Sequence, residues 1–457
     1  MSSLEEFIGI YLVMTVSRTV CLGFLAVIVV GTVLLMMPFS TSSGTWNDPI
    51  VALFTSTSAV CVTGLAVVDT GTDFSFWGQL CILLLAQIGG LGYMTTTTFL
   101  IMLVGRKFSL RQKIAIQQTL DRPGMHGSSQ VIQSIIATTM IFEITGVFLL
   151  MPAFVADYGW HQGVWLAIFH SVSAWNNAGF SLFSDGLIRY QSSWLVVFTI
   201  TMLIIFGGIG YQVILETYLW LRDRLLNKTT NLVLSLDFKV ACSTTLILLF
   251  TGTIAFFIIE TKNIKTFGSL NLPTQFLAAW FQSVTSRTAG FNGIDIGQMT
   301  SAGLFITIAL MFIGASPGGT GGGIKTTTLR VLTSCTKSIL QGKEEVLLYE
   351  RKIAISLILK AVAVLVGSVA MLVLSTVLIS ITDPKLNFIQ LLFEVVSAFA
   401  TVGLSTGITS SVSVPAKLIL IVTMYVGRVG VLLLMAAVLG DPRPSRVHYP
   451  EENLLVG

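Results

Sequence analysis

The chain has 457 residues, 53% of them hydrophobic and only 11% charged, with a mean hydropathy of +0.84. A soluble domain carries about 25% charged residues, so this composition excludes a soluble globular protein. The net charge of +4 is small and scattered through short loops, which excludes a nucleic-acid patch. Five cysteines (Cys21, Cys61, Cys81, Cys242 and Cys335) lie in or beside apolar segments. They read as small buried hydrophobes, not as a disulfide framework or metal site.

A bilayer-spanning helix needs about 20 apolar residues. Eight runs meet that length: 19–38, 74–104, 129–156, 193–221, 238–260, 301–340, 353–381 and 413–440. The first follows Glu5 and Glu6 rather than a basic segment and lacks a clear cleavage motif, so it reads as a retained helix. Shorter apolar runs lie at 46–59, 160–174, 271–285 and 386–399. They are too short to span and read as re-entrant half-helices. The predicted organisation is a cytoplasmic N-terminus 1–18, repeat A 19–104, repeat B 129–222, repeat C 238–341 with a broken second helix, repeat D 353–440, and a cytoplasmic tail 441–457. All four repeats form a single pore domain.

The evidence for repetition is a short strip after each half-helix. It runs Ser58 to Leu65, Ser173 to Phe180, Thr285 to Phe291 and Ser397 to Leu404, and each copy ends in glycine plus a bulky apolar residue. The glycines Gly64, Gly179, Gly290 and Gly403 are 115, 111 and 113 residues apart. A near-constant period of that length marks copies of one unit. One spacing differs: Phe281 lies nine residues before its glycine, whereas Phe54, Phe169 and Phe393 lie ten before theirs.

A two-helix unit returns the chain to its starting side, so the repeats are predicted to be parallel. Arg106, Lys107, Arg111, Lys113, Arg122, Arg222, Arg224, Lys228, Lys239, Lys337, Lys343, Arg351, Lys352 and Lys360 lie between units or near the adjoining unit ends, which assigns those loops to the cytoplasm. Asp48, Asp69, Asp73, Asp157, Asp185, Asp295 and Asp383 gather on the other side, where they read mostly as solvated loop charges. Trp46, Trp77, Trp160 and Trp194 fall at predicted outer helix ends, as interfacial aromatics do. The predicted fold class is therefore an all-α membrane protein, with four parallel helix–pore helix–filter loop–helix repeats around one pore.

Non-helical backbone at membrane depth is tolerated only inside protein or along a water-filled cavity. Four such strips around one axis can present rings of carbonyl oxygens that replace the hydration shell of a cation. Glycine suits this use because it reaches backbone angles closed to other residues. The predicted ion filter is Cys61, Val62, Thr63 and Gly64; Asn176, Asn177, Ala178 and Gly179; Arg287, Thr288, Ala289 and Gly290; and Ala400, Thr401, Val402 and Gly403. A single glycine of this kind would read as a helix-packing residue; four at one period read as a filter.

The second helix of repeat C is interrupted at Gly314, Ala315, Ser316, Pro317, Gly318, Gly319, Thr320, Gly321, Gly322, Gly323, Ile324 and Lys325. Glycine costs about 1 kcal/mol and proline about 3 relative to alanine inside a helix, so regular helix cannot continue. A Walker loop is rejected because Ile324 separates the last glycine from Lys325 and no strand precedes it. The strip reads as a gate below the filter, against the blander reading of a packing kink, and Lys325 is expected to oppose a cation. Arg428 lies mid-way through the last span, where a charge is a functional signal by default. It reads as a pore charge; the competing reading is a local pair with Glu394 or Glu143.

The strip residues just named, together with the glycine-rich break, resemble the filter loops and intramembrane loop of the Trk/Ktr/HKT potassium transporter superfamily, over essentially the whole chain. The start directly at repeat A resembles the Ktr branch; the longer Trk subunits carry two extra helices in front. Plant relatives that favour sodium have serine in the first strip, so the resemblance implies potassium at Gly64, with sodium a candidate activator. It further implies a homodimer with one pore per subunit and a cytosolic ring of nucleotide-binding KtrA-type regulators. It supports the gate, and it places Arg428 at the family's arginine below the filter. The chain itself is expected to bind no cofactor and to catalyse no reaction; an HExxH motif is missing, and His126, His161, His170 and His448 are scattered. The expected function is potassium uptake through a channel-like pore at the plasma membrane, driven by membrane potential. The alternative is an alternating-access potassium/sodium symporter, which inverted repeats would favour.

Overall fold

The structure is a computed structural model that describes residues 15–92, 95, 128–226 and 234–440. The N-terminal segment 1–14, the basic loop with Arg106 to Arg122, Lys228 and the tail 441–457 lie outside the described residues. Apart from a two-residue antiparallel hairpin, Leu347–Leu348 with Arg351–Lys352, and the isolated bridges Thr41–Phe74 and Ile313–Ile324, the described secondary structure is helical.

Unit A holds a long helix Val16–Met36, a short helix Pro49–Val60 and a second helix Phe76–Leu91. Unit B opens with a run from Ser128 to Trp175 that turns at Gly159, whose φ is +76°, dividing a long helix from a short one. Unit C has Leu236–Glu260, Leu272–Thr285 and then Ser301–Phe312 and Thr326–Leu340. Unit D has Ile355–Thr382 and Phe388–Phe399, followed by Val414–Val429 and Val431–Leu439. The short helices begin where the chemistry tells them to. Asp48 and Asn271 accept hydrogen bonds from first-turn N–H groups, and Pro49 and Pro273 occupy opening positions that need no donor.

The expected uninterrupted second helices in units B and D are corrected by the structure. Trp194–Ile209 and Tyr211–Leu225 meet at 101°, and Val414–Val429 and Val431–Leu439 meet at 94°. The hinge residues are Gly210 (φ +97°, ψ 137°) and Gly430 (φ +90°, ψ 139°), and the unit A helix ends at Gly92 (φ +78°, ψ 135°). These angles are reached by glycine and hardly by any other residue. All four second helices thus break at the same place in their unit, unit C by the long interruption between Phe312 and Thr326. Among the described residues, four helices are long and apolar enough to cross a membrane unaided, or six when each bent pair is one span.

Packing is cyclic. In units A, C and D the long first helix packs on the unit's own short helix. The second helix of a unit packs on the short helix of the next. Thus Trp194–Ile209 of B lies on Leu272–Thr285 of C, Ser301–Phe312 of C on Phe388–Phe399 of D, and Val414–Val429 of D on Pro49–Val60 of A. From A to B the link is made by Trp165, whose indole N–H donates to Gln79 at 2.8 Å while its ring packs on Phe76. Inside units A, B and C a serine on the short helix bonds the long helix: Ser56 donates to the Ile28 carbonyl at 2.8 Å, Ser171 to Glu143 at 2.7 Å and Ser283 to Leu249 at 2.9 Å. Gly31, Gly146 and Gly252 face these hydroxyls, and any side chain there would displace them. Trp46, Trp77, Trp160 and Trp194 are all well exposed.

Candidate ion pathway

Each short helix ends in a turn that throws two alternate residues into left-handed backbone. They are Val62 and Gly64, Asn177 and Gly179, Thr288 and Gly290, and Thr401 and Gly403. The non-glycine members have φ of +56°, +55°, +67° and +50°. A branched residue such as Val62 or Thr288 is strained there, and it persists because the surroundings dictate it. The dictating bonds repeat: Thr63 N–H to Ser58 carbonyl at 2.7 Å, Ala178 to Ser173 at 2.8 Å, and Val402 to Ser397 at 2.8 Å. In unit C, Ala289 and Gly290 both donate to Thr285, at 3.1 and 3.2 Å. Thr285 therefore plays the part of Ser173, as the hydroxyls also show: Ser173 donates to Phe180 and Thr285 to Phe291, each at 2.8 Å. The one-residue-short spacing in unit C is a deletion between Thr285 and Thr288.

The four strips meet edge to edge. A Cβ on Gly64 would lie 2.5 Å from the Ala178 carbonyl oxygen, one on Gly179 2.9 Å from that of Ala289, and one on Gly290 would strike Val402. One on Gly403 would strike Thr63, which returns the contact to unit A. The order A, B, C, D, A is closed. Every other residue assigned to the strips is fully buried except Arg287, which is 8% exposed. The hydroxyls of Thr63 and Thr288 have no hydrogen-bond partner. A cavity of about 350 Å³ opens on one side of the ring, bordered by all four glycines and by Asp69. A second cavity of about 350 Å³ lies on the other side and includes Gly90, Trp175, Thr320, Lys325 and Arg428.

Between ring and second cavity lies the interrupted segment of unit C. It folds back on itself through Gly314 N–H to Ile324 at 2.9 Å and Ala315 N–H to Gly322 at 3.3 Å. It is also tied to the other units. Ser316 and Thr320 donate backbone N–H groups to Gly208 and Gly207 of unit B, at 3.0 and 3.1 Å. Gly322 donates to the Thr401 hydroxyl at 3.1 Å, and Gly321 lies against the Thr288 hydroxyl, where a Cβ would collide. Tyr211, just past the unit B hinge, donates its N–H to Gly318 at 3.4 Å. Gly319 and Gly323 complete the turn. Pro317 sits where its missing N–H costs nothing, before the turn at Gly318.

Three cations surround this segment. Arg428 donates to the carbonyl oxygens of Thr320 and Gly89, so it bridges units C, A and D. Arg287 donates to Gly314 at 3.3 Å, behind the ring. Lys325 donates its Nζ to Gly321 at 2.8 Å, so its charge is held by a backbone carbonyl. The carboxylate pairing considered for Arg428 is not formed. Glu394 accepts instead from the hydroxyls of Ser405 and Thr409 and the Thr406 N–H, and Glu143 accepts from Asn176 at 3.2 Å. Both carboxylates are buried beside the strips, whereas sequence reasoning names them only as partners of the arginine. A signal for their role is present: Glu394 directly follows Phe393 on a short helix, the position held by His170 in unit B, and His170 Nε2 bonds Ser181 at 3.0 Å.

The acidic residues on the outer side are mostly engaged in local structure. Asp48, Asp69 and Asp295 cap helical turns, Asp157 accepts from Tyr190 at 2.7 Å and Asp185 pairs with Arg189 at 2.9 Å. Burial would raise the Asp383 carboxyl, but hydrogen bonds from Ser413 and Thr382 outweigh it and hold it below its ordinary value.

Residues 13–445 match the family TrkH, described as cation transport protein. The chain belongs to the TrkH family of cation transport proteins. TrkH-family relatives are similar along nearly the full length. Ktr system potassium uptake protein B of Vibrio alginolyticus is 40% identical, covering 96% of this chain and 94% of that protein. The protein of the same description from Bacillus subtilis is 38% identical, covering 97% of each. Potassium/sodium uptake protein NtpJ of Enterococcus hirae is 35% identical, covering 96% and 97%. The crystal structure of TrkH from Vibrio parahaemolyticus shares the fold with a TM-score of 0.70 at 18% identity, covering 92% of this chain and 85% of that one. This TrkH-family chain is a multi-pass membrane protein of cation transport.

Proposed function

We propose that this protein takes up potassium across the plasma membrane through a pore enclosed by its four parallel units. The observation that carries the reading is the closed ring of strips, each with the same alternation of left-handed residues. Alternating the backbone hand in this way lets successive carbonyls face one axis, where they can substitute for a cation's water shell. Inward movement is driven by the membrane potential, worth about 2.3 kcal/mol per charge per 100 mV. The names of the relatives support potassium as the ion, and Gly64 in the first strip agrees.

The loop from Gly314 to Lys325 is the gate. It lies across the inner side of the ring and touches strip residues of units C and D. Arg428, Arg287 and Lys325 add positive charge where an ion would leave. A cytosolic nucleotide-binding ring of KtrA type would control the loop by biasing its two positions, and the chain would work as a homodimer with both termini in the cytoplasm. Potassium is cargo here; sodium is a candidate activator. No chemical step is involved.

The name of the Enterococcus relative, which includes sodium, favours a second reading, coupled potassium/sodium symport. Purified protein in liposomes decides between them. Potassium uptake that follows the imposed voltage alone supports the pore, and uptake that stops without a sodium gradient supports the symporter. Reporters fused after Gly342 should report the cytoplasm and those after Asp185 or Asn263 the exterior. An inverted signal at any of the three would reject the parallel arrangement.

A further inference from the structure

Helix Thr326–Leu340 begins where the loop ends, and its pattern is not explained by transport. Positions 330, 333, 334, 337, 338 and 341 share one helical face and line a groove of about 360 Å³. That face carries Arg330, Thr333, Ser334, Lys337 and Ser338, and Lys343 follows from the next turn. The hairpin residues Leu347, Leu348 and Tyr349 form the opposite wall. Arg330 Nε is buried without a hydrogen-bond partner. Among the described residues the ion pairs are Arg189–Asp185, Arg222–Asp223 and Lys352–Glu345, so Arg330, Lys337 and Lys343 belong to none. Glu344 and Glu345 are exposed and do not line the groove.

Three cations and a row of hydroxyls facing one cleft match the chemistry of a phosphate ester. A guanidinium can grip two of its oxygens, lysines supply point charges and the hydroxyls donate. The rim identifies the source of that phosphate. Ile339 is 69% exposed and Leu340 82% exposed, directly beside the basic face, and Leu347 is 50% exposed on the other wall. Cationic and bare apolar side chains side by side are the pattern of a segment lying in a lipid headgroup layer.

We propose that this groove binds the phosphate of an anionic phospholipid headgroup in the cytoplasmic leaflet. The cytoplasmic assignment rests on the orientation proposed above, and the negative surface of that leaflet favours it. A lipid held here would fix the far end of the gate loop to the membrane surface.

The test uses full-length protein in detergent, where both faces are accessible and neither topology nor transport affects the result. Native mass spectrometry would titrate the protein with phosphatidylglycerol, phosphatidylcholine and, as the soluble arm, glycerol phosphate. Wild type should prefer phosphatidylglycerol over phosphatidylcholine by at least about tenfold. The variant R330Q/K337Q/K343Q should lose most of that preference, while Lys337→Arg, which keeps the charge, should retain it. The proposal is overturned if the triple variant binds phosphatidylglycerol as wild type does. It is also overturned if glycerol phosphate binds as tightly as the lipid, which would make this a site for soluble phosphate. A triple variant that loses only its partner subunit, with lipid preference intact, would identify the groove as a protein interface instead.

Discussion

The N–H of Gly322 donates to the hydroxyl of Thr401 at 3.1 Å, so the loop of unit C hangs from the strip of unit D. Thr401→Val removes the acceptor and keeps the shape. One hydrogen bond is worth about 1 kcal/mol net, roughly a fivefold change in a two-state equilibrium. Potassium flux into liposomes without a regulatory partner should rise by about that factor. A fall in flux would mean that the hydroxyl serves the ion and not the loop.

Deleting Ser316 to Gly322 removes the segment tied to Gly207, Gly208, Thr401 and Arg428. Flux should rise above wild type and depend less on a cytosolic partner, with preference for potassium retained because the strips are untouched. A deletion protein that folds, dimerises and conducts no better than wild type would show the segment to be a packing kink.

Gly64→Ser places a Cβ 2.5 Å from the Ala178 carbonyl oxygen on a backbone of φ +87°. The neighbouring strip must shift, so discrimination of potassium over sodium should weaken. Competitive uptake of the two ions measures it, and an unchanged ratio would remove the ring from the selectivity mechanism.

Gly427 and Gly430 differ in kind although they are three residues apart. A Cβ on Gly427 would strike the carbonyl oxygen of Phe399, whereas one on Gly430 meets nothing within 4 Å. Gly430→Ala suffers only from its backbone angles, about 1–3 kcal/mol. Gly427→Ala forces two helices apart and should lower the melting temperature further. Thermal unfolding in detergent compares them; equal losses would mean that strain at the hinge, not contact with the short helix, limits stability.

Asp383 tests pH dependence outside the membrane. Its carboxyl sits below its ordinary value in the folded protein, so its contribution is present above that ordinary value and is lost as pH falls through the lower folded one. Asp383→Asn should melt earlier than wild type at neutral pH, with the gap closing as pH drops below about 4. A gap that is constant with pH would mean that the carboxylate's charge plays no part.

The strips are legible in the sequence because glycine recurs at one period, and because the stretch after each half-helix is short and polar enough to stand out in an apolar chain. Less visible are the hinges. Their sequence signal is a second repeat, Gly89-Gly90-Leu91-Gly92 in unit A and Gly207-Gly208-Ile209-Gly210 in unit B, with Gly427-Arg428-Val429-Gly430 in unit D. It is masked by high hydropathy on both sides, which reads as continuous helix. That alignment also explains Arg428: it occupies the place of Gly90 and Gly208, the glycines that lie against Asn176 and Asn177. Its true acceptors are backbone carbonyls made available by the breaks in other units, which no pairing of charges in the sequence could reveal. The deletion in unit C shows in the sequence only as an odd spacing; the hydroxyl of Thr285 locates it.

The contact between Gly403 and Thr63 has a consequence for synthesis. The final strip seals against the first, so its closing partners are among the earliest and latest residues to leave the ribosome. A nascent chain with three strips made lacks the contacts that close the ring, and on the pore reading proposed above it would hold no enclosed path for an ion. Pairings this remote in sequence also form slowly. A chain cut before Gly403 is therefore expected to take up no potassium, which flux into liposomes holding the truncated protein would check.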